Sequence, residues 1–218
     1  MRRGIVAVDP KDSACFWTID LIRLVDRPKV EISMRIQAEQ RAPDFQAVDV
    51  FGSPVSLQAL QGRMVLLSFY RYASCPLCNL RVRDLREAAP GLAAAGVAMV
   101  GVFQSDAASI RRHAGRMPLP FPLVADPDMV LYRSYAVERS WVAMLRWPTL
   151  VAAVRALAAG FLPGRIDGPV DRTPADFLIG PDGRVVLAHY GRHLDDHLPL
   201  DAIQAALATP VPRPVLAG

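Results

Sequence analysis

Two cysteines, Cys75 and Cys78, have two residues between them and follow a largely apolar run at 65–70 and a short polar turn. The run predicts a buried strand, and Pro76 favours the first position of a helix, where its missing N–H is not needed. The unpaired amides of the first helical turn then point towards Cys75. With the positive end of the helix dipole they would stabilise a thiolate there. Cys-x-x-Cys in a strand–turn–helix setting is typical of thiol–disulfide redox chemistry.

The helix that starts at Pro76 predicts different roles for the two sulfurs. Its apolar stripe at helical spacing consists of Cys78, Val82, Leu85 and Ala89. Cys78 is therefore expected on the inward face and Cys75 at the accessible mouth, so that one thiolate attacks and one sheltered thiol resolves the product. Pro90 and Gly91 predict the end of this helix.

Two other interpretations of the cysteine pair stay open. The pair is half of a zinc site if His193 and His197 supply the other two ligands, although they lie far along the chain. Alternatively, the cysteines are inert packing residues, because free cysteine is among the most buried residue types. The position at a helix start favours redox chemistry over both.

Composition excludes several classes of protein. The 218 residues are 52% hydrophobic and 21% charged, with a net charge of +4 from scattered arginines, so one globular domain is expected and nucleic-acid binding is not. Three cysteines do not make a secreted disulfide scaffold, no segment has the length of a membrane span, and the start does not read as a signal peptide. These features predict a cytoplasmic protein.

The order of predicted elements is strand, helix, strand, helix, then a β-hairpin and a last helix. Parallel crossovers followed by an antiparallel pair predict an α/β fold with a mixed central β-sheet flanked by helices. We expect residues 1–40 to be a loosely ordered N-terminal extension, 41–209 to be the domain, and 210–218 to be a frayed tail.

A helical insertion is predicted at about 138–171. One face of a helix there carries Leu150, Val154, Leu157, Ala158 and Phe161. Arginines and a proline within the stretch exclude a transmembrane helix. The first interpretation is a helix that packs on the core through this face; the others are a lid over the cysteines, a dimer contact, or a patch on a membrane surface.

Three segments resemble a known family: Ala42-Pro43-Asp44-Phe45, then Phe69-Tyr70-Arg71 followed by Cys75-Pro76-x-Cys78, and Phe177-Leu178-Ile179-Gly180-Pro181-Asp182-Gly183. They are similar to the peroxiredoxin-like branch of the thioredoxin superfamily, alkyl hydroperoxide reductase/thiol-specific antioxidant. The resemblance covers about residues 42–208. It implies a thioredoxin-like fold, reduction of a peroxide or a disulfide by Cys75, and a cis peptide bond before Pro174 that faces the active site.

The chain departs from the family pattern before the first cysteine. Peroxiredoxins typically carry proline seven residues before the reactive cysteine, and threonine or serine three residues before it; here those positions are Ser68 and Tyr72. Thioredoxins carry aspartate six residues before the first cysteine and tryptophan directly before it; here they are Phe69 and Ser74. Arg71 is a candidate for the charge that orients a peroxide, or else a solvent contact.

No residue near the cysteines is an obvious base for Cys78. The histidines are interpreted as surface or capping residues: His113, His189, His193 and His197. Asp195 and Asp196 are interpreted as the solvated start of the last helix.

The leading hypothesis is a thiol-dependent antioxidant oxidoreductase. Cys75 would reduce a small hydroperoxide, Cys78 would close an intramolecular disulfide, and thioredoxin or a low-molecular-weight thiol would restore both thiols. Arg71, Tyr72, Pro76 and Pro174 are supporting candidates, and no cofactor or metal is expected. The alternatives are a thioredoxin-like disulfide reductase and a non-catalytic module that binds a partner through residues 141–162. A homodimer is also among the expected assemblies.

Overall fold

A computed structural model describes residues 35–116 and 118–208 of the chain. Most of the predicted N-terminal extension, including Cys15, and the whole of the predicted tail at 210–218 lie outside the described residues. The division of the chain into extension, domain and tail therefore stays a prediction.

The elements alternate between strands and helices in the first half of the described chain. In chain order they are β1 (Gln46–Val48), β2 (Pro54–Ser56), a 3-10 turn (Gln58–Leu60), β3 (Met64–Phe69), α1 (Pro76–Ala94), β4 (Val97–Phe103), α2 (Ala107–Arg112), β5 (Leu123–Ala125), α3 (Val130–Ser134), α4 (Trp141–Met144), α5 (Trp147–Ala158), β6 (Ala175–Ile179), β7 (Val185–Tyr190) and α6 (Leu200–Ala208).

The central sheet has five strands in the order β5-β4-β3-β6-β7. Strands β3, β4 and β5 are parallel, whereas β6 runs antiparallel to both β3 and β7. This arrangement confirms the predicted mixed sheet. The crossover through α1 joins two parallel neighbours, and the β6–β7 hairpin closes the other side.

Helices cover both faces of the sheet. On one face, side chains of α1, α2, α5 and α6 pack in a single apolar cluster with β3 and β4. On the other, α3 and the segments around β1 and β2 contribute to a second cluster. Every residue of β4 is buried, because a strand covered on both faces needs no polar side.

Helix α1 is longer than predicted. The end expected at Pro90 is wrong, because the helix continues through Pro90 to Ala94. A proline inside a helix removes one hydrogen bond and crowds the preceding turn. Ala89 and Leu92, on either side of it, are 1% and 4% exposed. Their packing against the sheet holds the last turn in place.

The prediction of a helical insertion at about 138–171 agrees with the structure in part. Helices α4 and α5 lie between Trp141 and Ala158, but the chain from 161 to 168 is neither helix nor strand. Helix α5 does pack on the core, through Thr149, Ala152 and Ala156. Of the face predicted to point inward, Leu150, Val154, Leu157 and Ala158 point outward instead, whereas Phe161, beyond the end of α5, packs against the core. Within residues 35–116 and 118–208, no helix combines the length and apolar character needed to cross a bilayer.

Candidate active site

The start of α1 has the predicted geometry. Cys75 is the N-cap residue with extended backbone (φ −66°, ψ 120°), and Pro76 begins the helix. The Cys78 N–H donates to Cys75 Sγ over 3.4 Å, and the Asn79 N–H donates to the Cys75 carbonyl over 3.0 Å. The sulfur of Cys75 thus accepts from one of the amides left unpaired where a helix begins.

Arg71 contacts both sulfurs, one through its side chain and the other through its backbone N–H. Its side chain is buried, and Nη2 donates to Cys75 Sγ over 2.9 Å. Its backbone N–H donates to Cys78 Sγ over 3.4 Å. The guanidinium carbon also lies 5.3 Å from the centroid of the Tyr72 ring, which is itself 8% exposed. Arg71 is thus a buried contact of Cys75 Sγ and not a solvent contact, and its role in orienting a peroxide stays a prediction.

The surroundings separate the pKa values of the two thiols. Burial would raise the pKa of Cys75, but the hydrogen bond from the Cys78 thiol, the charge of Arg71 and the Cys78 N–H lower it to about 6. Burial, its hydrogen bond to Cys75 and the nearby Cys75 charge together raise the pKa of Cys78 well above its ordinary value. At neutral pH the pair therefore holds one thiolate and one thiol.

Cys75 is not accessible in this structure, contrary to the sequence-based expectation. It is 0% exposed, and Cys78 is 2% exposed; both are free thiols. Residues 161–171, which we term the covering segment, are hydrogen-bonded to Arg71 and to Ser74, the residue directly before the buried Cys75. Arg71 Nη1 donates to the Val170 carbonyl over 2.7 Å, so one guanidinium holds both the reactive sulfur and this segment.

Further hydrogen bonds hold the covering segment along its length. Ser74 Oγ donates to the Arg165 carbonyl over 2.6 Å. Gln104 Nε2 donates to the Pro169 carbonyl over 2.7 Å. These bonds join exposed or half-buried loop backbone to the side chains of Ser74 and Gln104. Phe161 and Val170, near the two ends of the segment, also pack against the core.

Pro174 does not have the predicted backbone. No peptide bond among the described residues is cis, so the bond before Pro174 is trans. Its carbonyl accepts from the Gly191 N–H over 2.8 Å, which extends the pairing of β6 with β7. The expectation of a cis bond at this position is therefore wrong in this structure.

Sequence reasoning missed a buried carboxylate–histidine pair between β6 and the segment that precedes α6. Asp176, in β6, is 0% exposed, and its Oδ2 accepts from the Leu198 N–H over 2.8 Å and lies 2.9 Å from His197 Nδ1. Burial would raise the pKa of Asp176, but the charge and hydrogen bond of His197 hold it well below its ordinary value. The only hint in the sequence is an acidic residue inside an otherwise apolar strand.

Unpartnered polar atoms surround this pair. Ser68 lies opposite Asp176 in the strand register, and the Tyr70 ring centroid lies 5.4 Å from that of His197. Side-chain atoms here that are buried without a partner are Ser68 Oγ, Tyr70 Oη, Arg81 Nε and Asp176 Oδ1. Grouped orphan polar atoms of this kind are the usual sites of internal water.

His189 and His193 pair with carboxylates near the end of β7, whereas His113 lines a groove together with Ser74 and Asn79. His193 Nδ1 lies 2.7 Å from Asp195, and His189 Nε2 lies 3.0 Å from Asp196. The carboxylates expected to start the last helix instead hold these two rings, because α6 begins later, at Leu200. His197, expected at the surface, is the buried partner of Asp176. Across 35–116 and 118–208, no group of three or more potential metal ligands is arranged to hold an ion.

A five-stranded mixed sheet with a Cys-x-x-Cys at the start of its central helix defines a thioredoxin-fold thiol oxidoreductase. The family model AhpC/TSA matches residues 38–188, and the chain belongs to this family. Peroxiredoxin Bcp of Escherichia coli is 31% identical over 109 residues, which are 49% of this chain and 70% of that protein. Peroxiredoxin Q of Arabidopsis thaliana is 30% identical over 106 residues, 49% of each chain.

Solved structures give the same fold. The peroxidoxin BcpB of Mycobacterium tuberculosis has a TM-score of 0.57 at 19% identity, covering 80% of this chain and 96% of that one. The bacterioferritin comigratory protein of Xanthomonas campestris has a TM-score of 0.54 at 21% identity, covering 75% and 90%. The predicted family, fold class and enzyme class are thereby confirmed.

Proposed function

We propose that the chain reduces small hydroperoxides through Cys75. The contact that carries this proposal is the 2.9 Å hydrogen bond from Arg71 Nη2 to Cys75 Sγ, at a sulfur whose pKa is about 6. A thiolate at neutral pH is the nucleophile that peroxide reduction requires, and a fixed guanidinium stabilises the negative charge that develops on oxygen.

The chemistry balances without an added base. The Cys75 thiolate attacks one oxygen of the O–O bond and becomes a sulfenic acid, and the other oxygen leaves as an alkoxide that takes a proton from water. The Cys78 thiol then attacks the Cys75 sulfur, a disulfide forms, and the Cys78 proton departs with the hydroxyl as water. A dithiol such as thioredoxin, or two low-molecular-weight thiols, supplies the two electrons that restore both thiols.

Arg71 and Tyr72 are the proposed supporting residues. Burial first, and then the Cys75 charge, raise the pKa of Tyr72, so its hydroxyl stays protonated as a potential donor. This supports Tyr72 in the place where the family commonly carries a threonine or serine. Pro76 supports the thiolate by starting the helix without an N–H. Since Cys75 is buried, the covering segment must move for substrate to enter.

Two further expectations belong to this proposal. A reducing compartment such as the cytoplasm suits a pair of free thiols that an intracellular thiol keeps reduced. A homodimer also stays a prediction, which light scattering of the purified chain tests directly.

The decisive experiment compares wild type with Cys75→Ser and Cys78→Ser. Peroxide consumption and insulin reduction are measured with dithiothreitol and, separately, with a thioredoxin system. Peroxide turnover should vanish in Cys75→Ser, whereas Cys78→Ser should accumulate a sulfenic acid that dimedone traps and mass spectrometry locates on Cys75. Turnover of insulin alone would replace the proposal by a disulfide reductase, and no cysteine-dependent turnover at all would leave a binding module.

A further inference from the structure

Helices α4 and α5 and the chain that follows them expose many large apolar side chains. We term this surface the outer face, and its members are Trp141, Val142, Leu145, Trp147, Leu150, Val151, Val154, Leu157, Leu162 and Ile166. Leu145 and Trp147 are 85% and 75% exposed. Monomeric soluble proteins rarely leave a contiguous apolar surface of this extent, and such surfaces usually meet a protein or a membrane.

The outer face has no partner among the described residues because of how α5 packs. Its small side chains Thr149, Ala152 and Ala156 occupy the interface with the core. Thr149 Oγ1 also donates to the Ala143 carbonyl over 2.8 Å, which fixes α4 against α5. The bulky residues on the opposite side are therefore held rigidly outward and cannot turn inward without breaking this interface.

Within the outer face the charge has one sign, and the acidic residues that flank it in sequence, Glu138 and Asp167, accept from Arg35 and from Ser105 Oγ. Between 139 and 166 the chain carries four arginines and no acidic residue: Arg139, Arg146, Arg155 and Arg165. Arg139 pairs with Asp171. The other three arginines lie among the residues of the outer face in sequence. Arginine suits such a place because its apolar stem lies along the surface while its guanidinium reaches an anionic group.

More basic residues border the far end of the outer face. A groove there is lined by Phe161 and Leu162 together with Arg112, His113 and Arg116. Two carboxylates of α1, those of Asp84 and Glu87, pair with Arg83, whose guanidinium carbon lies 5.8 Å from the centroid of the Phe161 ring. The border therefore adds net positive charge.

This charge pattern favours one of two binding partners for the outer face, a second copy of the chain or a lipid bilayer. Two copies of the chain that met through the outer face would bring one arginine-bearing surface against another, because a two-fold interface uses the same patch on both copies. A surface with exposed tryptophan, leucine and arginine suits the interface of a bilayer, where apolar side chains enter the acyl region and guanidinium groups meet lipid phosphates. We propose that the chain binds anionic lipid bilayers reversibly through the outer face. The proposal does not depend on the peroxide chemistry.

Vesicle sedimentation tests the proposal with the full-length chain. The probes are vesicles of phosphatidylcholine alone and of phosphatidylcholine mixed with phosphatidylglycerol. The wild-type chain should sediment with the anionic vesicles, and raised salt should weaken that binding. Trp147→Ser combined with Leu150→Ser should weaken it at least about tenfold. Arg155→Glu should weaken binding to anionic vesicles while leaving any binding to neutral ones unchanged.

Phe51→Ser is the matched control, because Phe51 is a large apolar residue, 70% exposed, on the loop between β1 and β2. It should bind as wild type does. Circular dichroism and peroxide turnover of the variants show whether each one is folded. The proposal is overturned if the chain binds neither vesicle, if it binds both equally at all salt concentrations, or if the outer-face variant binds as well as the control. A wild-type dimer that this variant dissociates, without vesicle binding, would assign the face to a second copy.

Discussion

Helices α1 and α5 pack against one another, yet they use opposite rules. Helix α1 buries its bulky side chains, among them Leu77, Leu85 and Leu92, and exposes charged ones. Helix α5 buries threonine and alanine and exposes tryptophan, leucine and valine. Both helices show apolar residues at helical spacing, so periodicity alone does not tell which face is inward.

The two helices differ in how strongly polarity changes from one side of the helix to the other. In α1 the side away from the core carries arginine, aspartate and glutamate, so only one face can be buried without desolvating charges. In α5 the only charged residue is Arg155, and almost any face is apolar enough to be buried. Small side chains then occupy the interface with α1, because they allow the two helix backbones to approach closely. The bulky face is left for another surface.

The largest expected effect is on a bulky residue of α1. Leu85→Ala, at a position that is 1% exposed, should lower the free energy of unfolding by about 2–5 kcal/mol, because the substitution leaves a cavity in a packed core. Urea unfolding followed by circular dichroism measures the change. A loss under 1 kcal/mol, on the order of a surface substitution, would contradict the inward assignment of this face.

The second comparison concerns two arginines, one buried beside α1 and one exposed on α5. Arg71→Met should raise the pKa of Cys75 by about 1–3 units, because it removes the charge and hydrogen bond that favour the thiolate. In wild type, iodoacetamide labelling of Cys75 should rise through pH 6 and level off above it. In the variant the rise should move to higher pH.

Arg155→Met is the control for Arg71→Met, since Arg155 is exposed and lies on α5. Its labelling profile, read by mass spectrometry of the Cys75 peptide, should match that of wild type. An unchanged midpoint in Arg71→Met would mean that the helix start alone lowers the pKa of Cys75.

The third prediction concerns the small residues between the helices. Ala152→Leu should destabilise the chain by about 1–3 kcal/mol, because Ala152 is 2% exposed and the added atoms must separate α5 from the core. Thermal unfolding, read as a lower Tm, checks this. A stabilised variant would show that α5 does not approach α1 closely.

The smallest effect is expected on the outer side of α5. Leu150→Ala removes the same atoms as Leu85→Ala, but Leu150 is 52% exposed, so the free energy of unfolding should change by less than about 0.5 kcal/mol. The same urea titration measures both leucine variants. A large loss at Leu150 would show that the outer face is covered within the folded chain.

Much of the site could be predicted from local chemistry. The strand before the cysteines, Cys75 at the helix start, Pro76 in the first turn and Cys78 on the inward stripe each depend on neighbours within a few residues. The same holds for β4, a nearly continuous apolar run in which every residue is buried. Local hydrogen bonding and hydrophobic periodicity are properties of short segments, and they survive in the folded chain.

What depends on distant segments could not be predicted. Asp176 and His197 are 21 residues apart and meet because the chain after β7 returns to β6. Cys75 was expected to be accessible, yet it is buried, and the arginine that contacts its sulfur also holds Val170, 99 residues beyond Arg71. Neither contact leaves a pattern in the residues around it.

The sequence by itself determined most of the strands and helices, the mixed sheet and the position of Cys75 at the start of α1, because these follow from hydrogen bonds and side-chain patterns within short segments. Tertiary structure alone decided that α5 turns its small side chains inward, that one arginine holds both the covering segment and the buried Cys75, and that a buried carboxylate finds its histidine. Each of these depends on free energies of packing and burial between segments far apart in the chain, which no local pattern records.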